Sequence, residues 1–148
     1  MGINTRSRKR ETVCSSCVEF SVDVSAQKSF KLNIPKDSMG PGARKAIAAI
    51  LLDISVIGCS LDSSYMIPSG VLLHIKIDPA PFRDELGKER KEPLRFTGEV
   101  KSCVMKAAGH YRVGVEFKKS EKEDIDLISG FIASKERRRA ARWNMGTK

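Results

Sequence analysis

The chain lacks most of what marks a membrane protein or an enzyme. No apolar run approaches the length needed to cross a bilayer. The basic start MGINTRSRKR is followed by no apolar stretch, so no secretory leader is expected and the expected location is cytoplasmic. Histidine occurs only twice, as His74 in an alternating strand pattern and His110 in a turn, and neither has a carboxylate pair or nucleophile motif beside it. There is no G-x-x-x-x-G-K-S/T, no G-x-G-x-x-G and no cluster with metal-ligand spacing. The expectation is a protein that is not an enzyme and holds neither cofactor nor metal. Aromatics are 6% of residues, too few on strands to build the stacking platforms of a nucleic-acid barrel, so DNA is not an expected partner.

Cysteine is also scarce in any useful pattern. Cys14 and Cys17 have C-x-x-C spacing, but a structural zinc site pairs two such knuckles, and Cys59 and Cys103 stand alone in apolar segments. Four separate thiols in a reducing compartment are the simpler reading.

Charge is present in quantity but unevenly. The net charge is +9. Arg6, Arg8, Lys9 and Arg10 make the N-terminus basic, and Lys135, Arg137, Arg138, Arg139, Arg142 and Lys148 against Glu136 do the same for the C-terminus. The stretch 11–134 is balanced, with seventeen basic and seventeen acidic residues. A neutral body with basic ends suits a small local anion better than an extended nucleic-acid surface.

Period-two alternation dominates the body. Val18, Phe20, Val22 and Val24 alternate with polar residues over 17–25, and Phe30, Leu32 and Ile34 repeat the pattern over 29–34. A Pro- and Gly-rich loop follows at 35–44. The segment 43–55 has helix-favouring Ala and Leu but no polar face, and is read as a strand. Further strands are expected at 58–64, 71–77, 94–105 and 111–117, the last two joined by a turn at Gly109. Ser120 and Glu123 have capping-box spacing ahead of a helix whose stripe is Ile125, Ile128, Phe131 and Ile132. The expected fold is all-β with an appended helix: a six- to seven-stranded antiparallel β-barrel closed by a C-terminal α-helix.

Two features carry chemistry. Arg6 and Arg10 form R-x-x-x-R in an arm ahead of the first strand, and guanidinium groups grip phosphate oxygens and guanine acceptors in pairs. Residues 53–58 read D-I-S-V-I-G. On a strand Asp53 and Ser55 share one outward face, with Leu52 and Ile54 on the other. A carboxylate there can accept from the N1–H and N2–H2 edge of guanine, the hydroxyl adds a polar contact, and Gly58 allows a turn or a close approach. Taken alone, the arm also reads as a solvated tail, and D-x-S-x-x-G as a local turn.

In this order, the R-x-x-x-R arm, LLDISVIGCSL, the late strand YRVGVEF and a closing helix resemble the PilZ domain family over about residues 6–133. The resemblance implies a six-stranded barrel that receives the bacterial second messenger cyclic di-GMP without catalysis. Arg6 and Arg10 match the arginines that clamp guanines and phosphates, Arg8 is an auxiliary within the arm, and Asp53, Ser55 and Gly58 match the motif lining the other side of the ligand. The chain then divides into a basic arm at 1–12, a barrel with its helix at 13–134, and a basic helix extension or tail at 135–148. Output is expected through an unidentified protein effector, with self-association through the C-terminal helix as a further route. The competing expectation is a PilZ-like adaptor that binds partners without nucleotide.

Overall fold

The structure is a computed structural model that describes residues 9–23, 34–39, 45–82 and 92–146. Arg6, Arg8 and nearly all of the expected strand at 29–34 lie outside those residues, and only Ile34 of that strand is described.

Six strands form a closed antiparallel barrel: β1 (Glu11–Val22), β2 (Ile47–Ile54), β3 (Gly58–Ser63), β4 (Leu72–Ile77), β5 (Leu94–Ala107) and β6 (His110–Ser120). Their order around the barrel is β1-β2-β3-β6-β5-β4, and β4 pairs with β1 to close it. Closure leaves no unpaired edge within the sheet. The alternating residues do what their period dictates. Val18, Phe20 and Val22 of β1, Leu73, Ile75 and Ile77 of β4, Leu94, Phe96 and Val100 of β5 and Val113 and Val115 of β6 all fill the interior. Each fully buried Leu, Ile or Phe contributes about 1.5–3 kcal/mol of transfer free energy. Gly109 closes the β5–β6 hairpin at φ +75, a conformation open to glycine at little cost.

Strand β2 shows why simple alternation misplaces one residue. Ile47, Ala49 and Leu51 point inward, so an uninterrupted strand would send Asp53 into the core. The pairing of β2 with β3 slips between Leu51 and Asp53, and the β1 ladder slips between Thr12 and Ser15 beside it. The extra residue in β1 is marked by Cys14, which takes a left-handed φ of 49. Past the slip Ile54 is fully buried, Leu52 is half-buried and Asp53 reaches the outside.

The one α-helix among the described residues, α1 (Lys122–Gly146), follows β6 directly. Leu127, Ile128, Phe131 and Ile132 bury its stripe, while Ile125 is half-buried. Phe131 meets Phe82 edge to face at 4.7 Å, which pins α1 to the 3₁₀ turn Ala80–Phe82. The expected capping box is displaced. Ser120 is still paired with Phe96 in the β5–β6 ladder, and the Glu121 carbonyl instead accepts the first helical N–H groups, from Asp124 and Ile125. Beyond Ser134 the apolar stripe ends but the helix continues, carrying an exposed run of arginines and Trp143, whose 73% exposure leaves it undocked on the barrel. Among the described residues no helix is long and apolar enough to cross a membrane.

Candidate functional site

The β1–β2 register sets the site. Glu11 lies opposite Ile54 and Thr12 opposite Asp53, so the last residues of the N-terminal arm run beside the end of β2. Arg10, just outside the strand, places Nη1 2.9 Å from Asp53 Oδ1 across 43 residues of sequence. From the other side, Arg112 on β6 places Nη2 2.8 Å from Asp53 Oδ2. The Asp53 side chain retains 15% exposure against 42% and 44% for the two arginines. One carboxylate thus sits between two guanidinium groups at the outer wall of the barrel, one from the arm and one from a rigid hairpin.

Arg10 and Asp53, two of the residues singled out in the sequence, are therefore in direct contact. Ser55 behaves otherwise. The strand ends at Ile54, so Ser55 enters a turn instead of continuing the Asp53 face, and it is fully buried. Its Oγ accepts from the N–H groups of Ile57 and Gly58 at 3.2 Å each and donates to the Gly58 carbonyl at 3.3 Å. The Ser55 N–H also donates to the Gly58 carbonyl, at 2.8 Å. Ser55 is the internal strut of the turn 55–58 rather than an outward hydroxyl. Gly58 is demanded by packing: a Cβ there would overlap the Val115 carbonyl oxygen of β6. The Ile57 carbonyl accepts from the Phe117 N–H at 2.8 Å, which ties the same turn to β6.

The base of the arm is joined to α1 as well. Lys9 Nζ lies 3.1 Å from Glu136 Oε1. Arg139 Nη1 lies 2.8 Å from Glu11 Oε1 and donates a hydrogen bond to Oε2 at 3.0 Å. The Glu11 side chain is only 9% exposed, so this is a nearly buried carboxylate held by a cation 128 residues away. Between arm, turn and helix lies a cleft of about 370 Å³ lined by Lys9, Val56, Ser129, Ile132, Ala133 and Glu136.

Sequence reasoning missed Arg112, Glu11, Glu136 and Arg139. Alternation in YRVGVEF does send Arg112 outward, opposite in phase to Val113 and Val115. That it faces Asp53 depends on β3 and β6 being neighbours, which no local pattern states.

The cysteines are four free thiols. Cys14 is exposed on the bulge, and burial pushes the half-buried Cys17 thiol up. Cys59 is fully buried behind the site, where desolvation pushes its thiol up to about 12. Among the described residues no group of His, Cys, Asp and Glu is placed to hold a metal ion. His74 meets Asp23 at 3.1 Å and His110 meets Asp62 at 3.3 Å.

Comparison with known proteins agrees with this architecture. Among solved structures, the inhibitor of motility MotI/DgrA of Bacillus subtilis superposes with a TM-score of 0.59 at 11% identity, over 87% of this chain and 49% of that one. MrkH of K. pneumonia gives 0.53 at 14% identity, over 89% and 51%. The PilZ domain of Escherichia coli YcgR, solved with c-di-GMP, gives 0.52 at 13% identity, over 92% and 95%. The chain spans about half the length of the first two and nearly all of the third. At these identities the likeness is one of fold. A search of curated protein sequences finds no match. The PilZ domain profile matches residues 4–134, from the arm to the end of the buried part of α1, and the chain belongs to the PilZ domain family.

Proposed function

We propose that this chain is a non-catalytic cytoplasmic receptor for cyclic di-GMP that acts on a protein effector by moving its arm and helix extension. The observation that carries the reading is the Asp53 carboxylate held between Arg10 of the arm and Arg112 of β6. It pairs a guanine acceptor with a guanidinium on a segment able to move.

The ligand is compact, with two phosphates and two guanines, and each part has a counterpart here. Arg6 and Arg10 supply guanidinium forks for phosphate oxygens and guanine O6 and N7, with Arg8 as auxiliary charge. Asp53 accepts from the guanine N1–H and N2–H2 edge. Ser55 and Gly58 serve the site by fixing the turn at which it ends. Binding requires Arg10 to exchange Asp53 for ligand. Separating a pair this exposed costs on the order of 1 kcal/mol, and each charge-assisted hydrogen bond to the ligand contributes about 1.5–3 kcal/mol.

That exchange is felt by the helix, because Lys9 and Glu11 flank Arg10 and both reach α1. Ligand that draws the arm over itself pulls Lys9 from Glu136 and loosens the turns beyond Ser134. The basic run and Trp143 then change their presentation to an effector or to a second copy of the chain. The same Arg10–Asp53 contact also fits an adaptor that uses the pair only to fasten its arm, so nucleotide binding must be measured. Calorimetric titration of cyclic di-GMP, with GTP and cyclic GMP in parallel, is expected to give saturable binding of cyclic di-GMP alone. Retention of partner binding with no cyclic di-GMP isotherm would favour the adaptor.

A further inference from the structure

Asp53 is oversupplied with cations. Each of its oxygens already has a guanidinium within 2.9 Å, and a carboxylate that must receive guanine can release only one without losing its orientation. The two arginines differ in what holds them. Arg10 stands in the arm, one residue outside β1. Arg112 stands within β6, in register with Asp62 on β3 and Val104 on β5, so its Cα is fixed by a ladder on both sides. Arg10 is the partner free to leave. Arg112 is the partner that stays.

We infer that Arg112 is a positioning residue for guanine recognition. It holds Oδ2 toward β6, so that Oδ1 and the unused lone pairs face the ligand once Arg10 has turned to it. A carboxylate accepts at about four lone-pair positions, so one guanidinium bond leaves room for the N1–H and N2–H2 pair. Without Arg112, Asp53 in the bound state has no fixed cation. Its carboxylate is free to follow Arg10 and fold back as an ion pair, and the guanine edge loses its acceptor. The fork geometry matters as well as the charge, because a lysine ammonium is a point charge that does not fix the plane of its partner.

This inference rests on the cyclic di-GMP reading, and the experiment separates the two. Wild type, Arg112→Ala, Arg112→Lys, Asp53→Ala and the Asp53→Ala/Arg112→Ala double variant are titrated with cyclic di-GMP and with cyclic di-AMP, which lacks the guanine N1–H and N2–H2 donors. No binding by wild type would remove the receptor reading itself. With wild type bound, Arg112→Ala is expected to weaken cyclic di-GMP on the order of tenfold or more, the scale of one charge-assisted hydrogen bond. It should also narrow the preference over cyclic di-AMP, a ratio that general loss of stability does not move. Arg112→Lys should recover only part of that preference. In the Asp53→Ala background Arg112→Ala should cost little more, because it acts through Asp53. An equal loss for both nucleotides, or the same loss with and without Asp53, would make Arg112 a phosphate contact and overturn the inference, as would wild-type affinity and selectivity in Arg112→Ala.

Discussion

Two ion-pair networks lie on the outside of this barrel, and they are built oppositely. On the outer face of β5 and β6, Glu99, Lys101, Glu116 and Lys118 pair with neighbours two residues along the chain or diagonally across the ladder. Its members belong to one hairpin that packing already fixes. At the end of β2, Arg10, Asp53, Arg112, Glu11 and Arg139 are joined across 43, 59 and 128 residues of sequence. Those pairs connect the arm, the barrel wall and the helix extension, which packing leaves only partly fixed. The hairpin network screens like charges from one another, Glu99 from its ladder partner Glu116 above all. The site network decides where three elements sit. Charge pairs of the same length thus do different work according to what else holds their owners.

This contrast can be broken at several points. The largest effect expected is on binding: Arg10→Ala or Asp53→Ala should weaken cyclic di-GMP by on the order of a hundredfold, the sum of two charge-assisted contacts, with an unchanged circular dichroism melt. A comparable loss from Lys101→Gln/Lys118→Gln would erase the distinction between the networks. Next is Gly58→Ala, which drives a methyl group into the Val115 carbonyl. It should lower unfolding free energy by on the order of 3 kcal/mol in urea titration, and a neutral result would return Gly58 to a purely ligand-facing role. Arg139→Ala leaves the nearly buried Glu11 carboxylate without its cation. That should cost about 1–3 kcal/mol of stability, and Glu11→Gln with Arg139→Ala should recover part of it.

Two weaker effects follow from the pKa shifts. With the Cys59 thiol pushed up to about 12, iodoacetamide at neutral pH should label Cys14 first and Cys59 only after unfolding, as read by peptide mass spectrometry. Labelling of Cys59 in the folded protein would mean that the wall behind the site opens. The smallest effect is that of the hairpin network under acid. A hydrogen bond from Lys101 holds Glu99 below the usual carboxylate range, and one from Lys118 does the same for Glu116. A carboxylate lowered in the folded state adds stability above its unfolded pKa and loses it as pH falls through the folded one. Lys101→Gln/Lys118→Gln should therefore lower the neutral plateau of the melting profile slightly, flatten the acid limb by the same small amount and leave the acid end unmoved, both pairs lying at the solvent surface.

How much of this the sequence discloses depends on the range of the interaction. Alternation in 17–22, 71–77, 94–105 and 111–117 is enough to place four strands or strand halves, because the side-chain period is local. The Ala-rich segment before Asp53 reads correctly as a strand because it lacks a polar face. The start of β1 at Glu11, three residues before Cys14, is hidden by the bulge that disturbs its alternation. Ser55 is misread as outward because alternation does not show where β2 ends: the strand stops at Ile54, and Ser55 faces into the turn 55–58. That Arg10 and Asp53 face one another across a single site was readable through family resemblance, whereas their direct pairing and the parts of Arg112, Glu11 and Arg139 were not. Their partners are set by strand order and by how far α1 runs, and neither leaves a local signature.

The central claim is that the arm is shared between ligand and helix. Hydrogen exchange on the full chain, with and without saturating cyclic di-GMP, tests it most directly. The account predicts faster exchange over 135–142 on binding, slower exchange at Arg10–Thr12, and no change at 99–118 away from Arg112. Saturable binding with helix protection over 135–142 unchanged would contradict it.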